Sequence, residues 1–236
     1  MMKRNNGFRV VWWCAALALL LLVLTGLTWY GKQASGIEDL PNYTDVKGKI
    51  TVDGFKYEQQ PFIGEPGAPV KVIEFGDFKC PACKQWHATV FSQLKAEFVD
   101  SGKVQFYFMN YAFLDRDSIL AGSAGEAIYR QNPEAFWDYY SKLYENQQSE
   151  SKIWATHGFL IDFVKENIKD LDYKQFEADL RNNVYLGDVK EDYKIGGYYG
   201  VNGTPAFFVN GKILRSSDYG ELKAAIHQEL QAAPGL

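Results

Sequence analysis

Glu74-Phe75-Gly76-Asp77-Phe78-Lys79-Cys80-Pro81-Ala82-Cys83 follows an apolar strand pattern and precedes a helical one. Two cysteines three positions apart at a strand-to-helix junction, with proline after the first, have the pattern of a redox pair. The leading thiol falls at the helix start, where unpaired N–H groups and the helix dipole favour a thiolate. Pro81 takes the first helical position, where its missing donor costs nothing. A thiol with a lowered pKa is a nucleophile at neutral pH and a good leaving group from a mixed disulfide.

Just upstream, Val70-Lys71-Val72-Ile73-Glu74-Phe75 alternates so that Glu74 shares a face with Val70 and Val72. Both faces are apolar beyond Lys71, as in a strand covered on each side. A carboxylate in such a strand has two readings. It lies near the strand end and reaches water, as most glutamates do. Or it is buried with a raised pKa and serves the inner thiol as proton acceptor or relay.

Downstream, Trp86, Val90, Phe91, Leu94 and Phe98 recur at helical spacing from Cys83 to Phe98, and Ser101-Gly102 ends the helix. Val104 to Met109 is a second strand, parallel to the first through a right-handed crossover. From Asp115 to Tyr199 the pattern turns helical. Helices are expected from Ile119 to Tyr129, Pro133 to Tyr144, Phe159 to Ile168, Tyr173 to Leu180 and Val184 to Ile195. The run Phe136-Trp137-Asp138-Tyr139-Tyr140 reads as core and groove wall rather than a cofactor box. Ala206-Phe207-Phe208-Val209, then Asn210-Gly211, then Lys212-Ile213-Leu214 is a hairpin pattern. Asp218 with Glu221 caps a last helix to about Leu230.

The 236 residues are 47% hydrophobic and 16% aromatic, ample for a packed core. Residues 1–30 carry Lys3, Arg4 and Arg9 and no acid. The remaining 22 Lys and Arg therefore face all 29 Asp and Glu, a formal charge of −7. An acidic body argues against a nucleic-acid partner. Cys80 and Cys83 are the only thiols outside the apolar N-terminus, which holds Cys14 as a small apolar filler. A zinc half-site needs about four ligands; the body offers only the scattered His87, His157 and His227, the latter two expected on surfaces. An acidic body has the charge to hold a structural calcium ion, yet no loop has a calcium-ligand pattern, and no residue is assigned as a metal ligand.

Val10 to Tyr30 is a 21-residue run without charge, long enough for a membrane helix. The leading positive charges keep its N-terminus cytoplasmic. A cleaved signal peptide, with an apolar region of about 7–15 residues, is the competing reading. Either exports the body to where disulfides persist. Residues 31–48 read as a tether. Ile50-Thr51-Val52, Asp53-Gly54 and Phe55-Lys56-Tyr57 read as a hairpin, and Gly64 to Pro69 as a loop.

Val72 to Cys83 and Val201-Asn202-Gly203-Thr204-Pro205-Ala206-Phe207-Phe208-Val209-Asn210-Gly211 resemble the two signature stretches of the DsbA family of thiol–disulfide oxidoreductases. With the N-terminal run and Ala135-Phe136-Trp137-Asp138, the chain most resembles the membrane-anchored Gram-positive BdbD branch, from Gln60 to the end. The resemblance implies an α/β thioredoxin fold with an all-helical insertion, preceded by an N-terminal transmembrane helix. Its divisions are residues 1–30 as anchor, 31–48 as linker, 49–114 and 200–236 as the two parts of the thioredoxin domain, and 115–199 as the insertion. It implies a cis Thr204–Pro205 bond facing the cysteines, and a Thr204 backbone that pairs with extended substrate as in strand addition. Ala82 stands where the best-known member has histidine. Alanine neither donates a hydrogen bond to the Cys80 thiolate nor carries charge, so the pKa depression rests more on the helix N-terminus.

The implied function is extracytoplasmic: introduction of disulfides into reduced exported polypeptides by the Cys80–Cys83 pair. Cys83 resolves unwanted adducts, Glu74 is its proton partner, and Thr204 and Pro205 bind substrate. The redox-active disulfide is the only cofactor, the chain is a monomer, and a DsbB-like quinone-linked membrane protein reoxidises it. Rival readings are an exported reductase of the cytochrome-maturation kind, a disulfide isomerase, and a folding chaperone that needs no thiol.

Overall fold

In this computed structural model, which describes residue 13 and residues 15–26, 39–214 and 216–233, the sheet is built around Val70–Gly76 (β2). Val104–Asn110 (β3) runs parallel to it, with Val70 opposite Val104 and Gly76 opposite Asn110. Ala206–Val209 (β4) lies antiparallel on the other side, with Glu74 opposite Phe207, and turns into Lys212–Ile213 (β5). The turn residues Asn210 and Gly211 both have positive φ, 45° and 80°, the conformation for which Asn-Gly is suited. Phe62–Ile63 (β1) closes the far edge, antiparallel to β3, giving the order β1-β3-β2-β4-β5.

Period-two alternation divides the strands between two cores. Val70, Val72, Val104, Phe106, Phe108, Phe207 and Val209 belong to the larger one, which contains both cysteines. Ile73, Phe75, Tyr107, Met109 and Phe208 belong to the other, with Phe55, Tyr111, Ile195 and Val201.

The helix that starts after Cys80 and contains Cys83 (α1) begins as Pro81–Trp86. It continues through wider π turns at His87–Phe91 and Lys95–Val99, joined by Ser92–Leu94. Arg116–Gln131 (α2), Pro133–Glu145 (α3), His157–Asn167 (α4), Tyr173–Arg181 (α5) and Leu186–Tyr198 (α6) follow β3. Four of these begin at a polar cap: Asp115, Asn132, Thr156 and Asp172 each accept a backbone N–H from the first turn. Tyr219–Ala232 (α7) is capped by Asp218, which accepts from the Glu221 N–H. His227 is exposed, whereas His157 is half-buried at the start of α4 rather than on the surface.

The hairpin expected over residues 50–57 does not form. Gly54 does adopt positive φ, 71°, but the chain then drops Phe55 onto the sheet, where it packs against Phe75, Phe208 and Tyr199. A ring packed against β2 and β4 cannot also sit in a two-stranded ribbon, and the edge pairing passes to Phe62–Ile63. Nor is the chain from Leu40 free. Leu40 is in the core, Asn42 caps a short turn, and the Tyr43 hydroxyl donates to the Ala112 carbonyl at 2.9 Å.

The chain divides into two units, residues 1–39 and 40–236. In the first, residues 15–26 are helical and their leucines are exposed. Residues 1–12, 14 and 27–38, which include the ends of the expected membrane span, Cys14 and the start of the expected tether, lie outside the described residues. Among the described residues no helix is long and apolar enough to cross a membrane.

Candidate active site at the start of α1

The strand-to-helix turn is fixed by Asp77. Its carboxylate accepts from the backbone N–H of Lys79 at 2.8 Å, Phe113 at 3.0 Å and Leu114 at 3.2 Å, and its carbonyl accepts from the Cys80 N–H at 2.9 Å. Cys80 is thereby held as the N-cap of α1 in extended conformation, with Pro81 as the first helical residue. Gly76 is required just before the turn. A Cβ there would lie 2.5 Å from the Phe108 ring and 2.9 Å from the Tyr144 hydroxyl.

Cys80 and Cys83 are unbridged and differ in their surroundings. Cys80 keeps 7% of its surface; Cys83 has none. The Cys80 thiol is pulled down to about 6, chiefly by the hydrogen bond from the Cys83 thiol, against the opposing effect of burial. The Thr204 hydroxyl and the backbone N–H groups of Cys83 and Ala82 add to the depression. Alanine therefore contributes through its amide alone, by the helix-start geometry that favours an anion. Cys83 is pushed well above the usual thiol range, first by burial, then by its hydrogen bond to Cys80 and the nearby charge of Glu74.

The Thr204–Pro205 bond is cis, and its loop faces the cysteines. As a neutral thiol, Cys80 donates to the Thr204 carbonyl at 3.3 Å. The Thr204 Oγ1 is buried with no oxygen or nitrogen partner, so the thiolate is the natural acceptor for its proton.

Glu74 is wholly buried, which removes the reading in which it reaches water. The Tyr140 hydroxyl donates to its Oε2 at 2.6 Å, while Oε1 has no hydrogen-bond partner. Burial raises the carboxyl to about 8, and the Tyr140 bond opposes the rise. At neutral pH this group carries a proton, and once ionised it stands close enough to Cys83 to raise that thiol.

Three further side chains hold the corner, and sequence reasoning passed over them all. Lys79 is fully buried and pairs with Asp117 of α2 at 2.6 Å. Gln147, just past α3, donates its amide to the carbonyls of Phe78 at 2.8 Å and Cys80 at 3.0 Å. In return Lys84 donates to the carbonyls of Glu145 and Gln147. Nothing in their spacing marks them, because each partner is 38 to 69 positions away. A second buried polar group was equally invisible: Asn110 joins Glu126 of α2 to Asp192 of α6, which also accepts from Gln60.

A cysteine pair with one stabilised and one suppressed thiolate, on a thioredoxin sheet and facing a cis proline, defines a thiol–disulfide oxidoreductase. A thioredoxin family model matches residues 56–228. A Bacillus anthracis protein named "Probable disulfide bond formation protein D" is 43% identical over 177 residues, 75% of this chain and 81% of that protein. Disulfide bond formation protein D of Bacillus subtilis is 34% identical over 187 residues, 79% of this chain and 82% of that one. The crystal structure of oxidised BdbD from Bacillus subtilis superposes with a TM-score of 0.70 at 33% identity, covering 79% of this chain and 98% of that chain. The chain belongs to the disulfide bond formation protein D family of thioredoxin-like oxidoreductases.

Proposed function

We propose that the chain works outside the cytoplasm as an oxidant of exported polypeptides, with Cys80 as the exchanging sulfur. The observation that carries this reading is the placing of Cys80 at the start of α1, where the Cys83 thiol, the Thr204 hydroxyl and two backbone N–H groups draw its pKa down to about 6. A stabilised thiolate in the reduced enzyme makes its disulfide a strong electron acceptor.

In the forward reaction a substrate thiolate attacks Cys80 Sγ and the Cys80–Cys83 bond breaks. Cys83 leaves with the electron pair and takes the proton of Glu74. The second substrate thiol loses its proton to solvent and attacks the substrate sulfur of the mixed disulfide. Cys80 departs as the thiolate, the substrate is oxidised by two electrons, and Glu74 is reprotonated. Pro81 and Ala82 shape the helix start, and Thr204 and Pro205 receive the substrate backbone. The redox-active disulfide is the only cofactor this scheme uses.

The uncharged run Val10–Tyr30 and the exposed leucines of residues 15–26 support an N-terminal membrane helix. Residues 31–39 then link it to a monomeric catalytic body. Within that body we divide the thioredoxin domain into residues 49–114 and 200–236, around an insertion at 115–199. A DsbB-like quinone-linked membrane protein returns Cys80 and Cys83 to the disulfide.

Replacing Cys80 with serine tests the scheme: oxidation of a reduced substrate is expected to cease, and undiminished oxidation overturns it. An equilibrium titration against glutathione separates oxidase from exported reductase. A potential well above about −270 mV supports the former, and one near that value the latter.

A further inference from the structure

Glu74 has one oxygen satisfied and one bare. Its strand neighbours across the sheet, Phe108 and Phe207, offer it nothing polar. The helices packed over it bring Cys80 and Cys83 from α1 and Tyr140 and Tyr144 from α3. Among the described residues Tyr140 is the one hydrogen-bond donor to Glu74, at 2.6 Å. The Tyr144 hydroxyl, one turn further on, is buried without a hydrogen-bond partner.

We propose that Tyr140 is a positioning residue for the proton transfer: by holding Oε2 as an acceptor, its hydroxyl places the Glu74 proton on Oε1. The helical insertion, which carries Tyr140, then governs how tightly that proton is held. The inference rests on Glu74 serving as the proton partner of Cys83. A carboxyl that already accepts at one oxygen carries its proton on the other, and here the other is the bare Oε1. In an apolar site the hydroxyl also stabilises the carboxylate left after transfer, so the tyrosine controls both where the proton sits and how readily it leaves.

The balance is that of the forward reaction. As the Cys80–Cys83 bond breaks, the electron pair goes to Cys83 Sγ, the Oε1–H bond breaks, and its proton forms the Cys83 thiol. Glu74 is left as a carboxylate whose Oε2 still accepts from Tyr140. Solvent then restores the proton.

The test is a carbon-13 NMR titration of side-chain-labelled glutamate in the reduced full-length chain, run beside single-turnover reduction of the oxidised enzyme across pH. Glu74→Gln identifies the resonance by its loss. Tyr140→Phe, which removes only the hydroxyl, is expected to raise the Glu74 midpoint by about one pH unit or more. Glu74 acts while protonated, so the alkaline limb of the rate profile moves upward by the same amount. A fluorinated tyrosine in place of Tyr140 keeps the shape and strengthens the donor, and it is expected to move the midpoint down. An unmoved midpoint in both Tyr140 variants overturns the inference. If Glu74→Gln leaves the rate profile unchanged, the proton-partner reading itself fails; if it changes the profile and the Tyr140 variants do not, only the role of Tyr140 fails.

Discussion

The Lys79 ammonium lies 2.6 Å from the Asp117 carboxylate, and neither side chain touches solvent. Asp117 is further satisfied by the backbone N–H groups of Trp154 and Ala155 at 2.9 and 3.2 Å. The residue just before Cys80 is thus bolted to α2 and to the chain before α4. Breaking such a pair is costly because the remaining charge stays buried alone. Asp117→Ala is expected to lower stability by about 3–5 kcal/mol. The double change Lys79→Met with Asp117→Asn removes both charges and keeps an acceptor for Trp154 and Ala155. It is expected to lose less than Asp117→Ala alone, as read from denaturant midpoints.

Reduced and oxidised forms are expected to part company as pH rises. The folded Cys80 pKa of about 6 lies below its ordinary value of 9.0. A depressed group contributes stability above its unfolded pKa and loses it as pH falls through the folded one. The reduced enzyme therefore gains stability between about pH 6 and pH 9, while the disulfide form has no such thiol to titrate. Cys83, shifted upward, stays neutral below pH 8 and does not disturb the comparison. Unfolding both forms at pH 5 and pH 8 checks this; a gap that does not widen in favour of the reduced form at pH 8 contradicts it.

Thr204→Val exchanges a hydroxyl for a methyl of similar size beside Cys80. Because the hydroxyl helps to hold the thiolate, the Cys80 pKa is expected to rise. Burial of the hydroxyl without a nitrogen or oxygen partner means that little else depends on it. Alkylation rates against pH give the measurement, and an unchanged Cys80 midpoint refutes the assignment.

Gln147→Ala leaves the Phe78 carbonyl without its donor, while Cys80's carbonyl keeps the Lys84 N–H at 3.1 Å. The expected loss is about 1–2 kcal/mol in global stability. Hydrogen exchange is expected to speed up in residues 77–84 before it does elsewhere in the sheet. Uniform protection across that turn in the variant argues against the latch.

Much of this was legible in the chain because it is written locally. Alternation from Val70 to Phe75 located β2, Asn210-Gly211 located the last hairpin, and Pro133 located the start of α3. Asp53-Gly54 misled for an instructive reason. The turn conformation is present, yet the ring of Phe55 gains more by covering Phe75 and Phe208 than a short exposed ribbon would offer. Cys80, Cys83 and Glu74 stood out by chemistry or by incongruity. Lys79 did not, since a lysine beside a turn is ordinarily solvated and Asp117 is remote in sequence. Tyr140 was absorbed into an aromatic stretch that is indeed mostly core, with Phe136, Tyr139 and Tyr144 also buried. Its hydroxyl gives no sign in the sequence that it faces a carboxylate 66 positions back.

Because α3 and Gln147, two residues beyond it, deliver a phenol and a carboxamide to the corner, the helical segment is part of the site and not only its cover. Transplanting the Cys-Pro-Ala-Cys tetrapeptide alone into a minimal thioredoxin would carry over the sulfurs without the scaffold that tunes them. The tetrapeptide is tuned only together with Glu74, Asp77, the Thr204–Pro205 loop and the segment from Pro133 to Gln147.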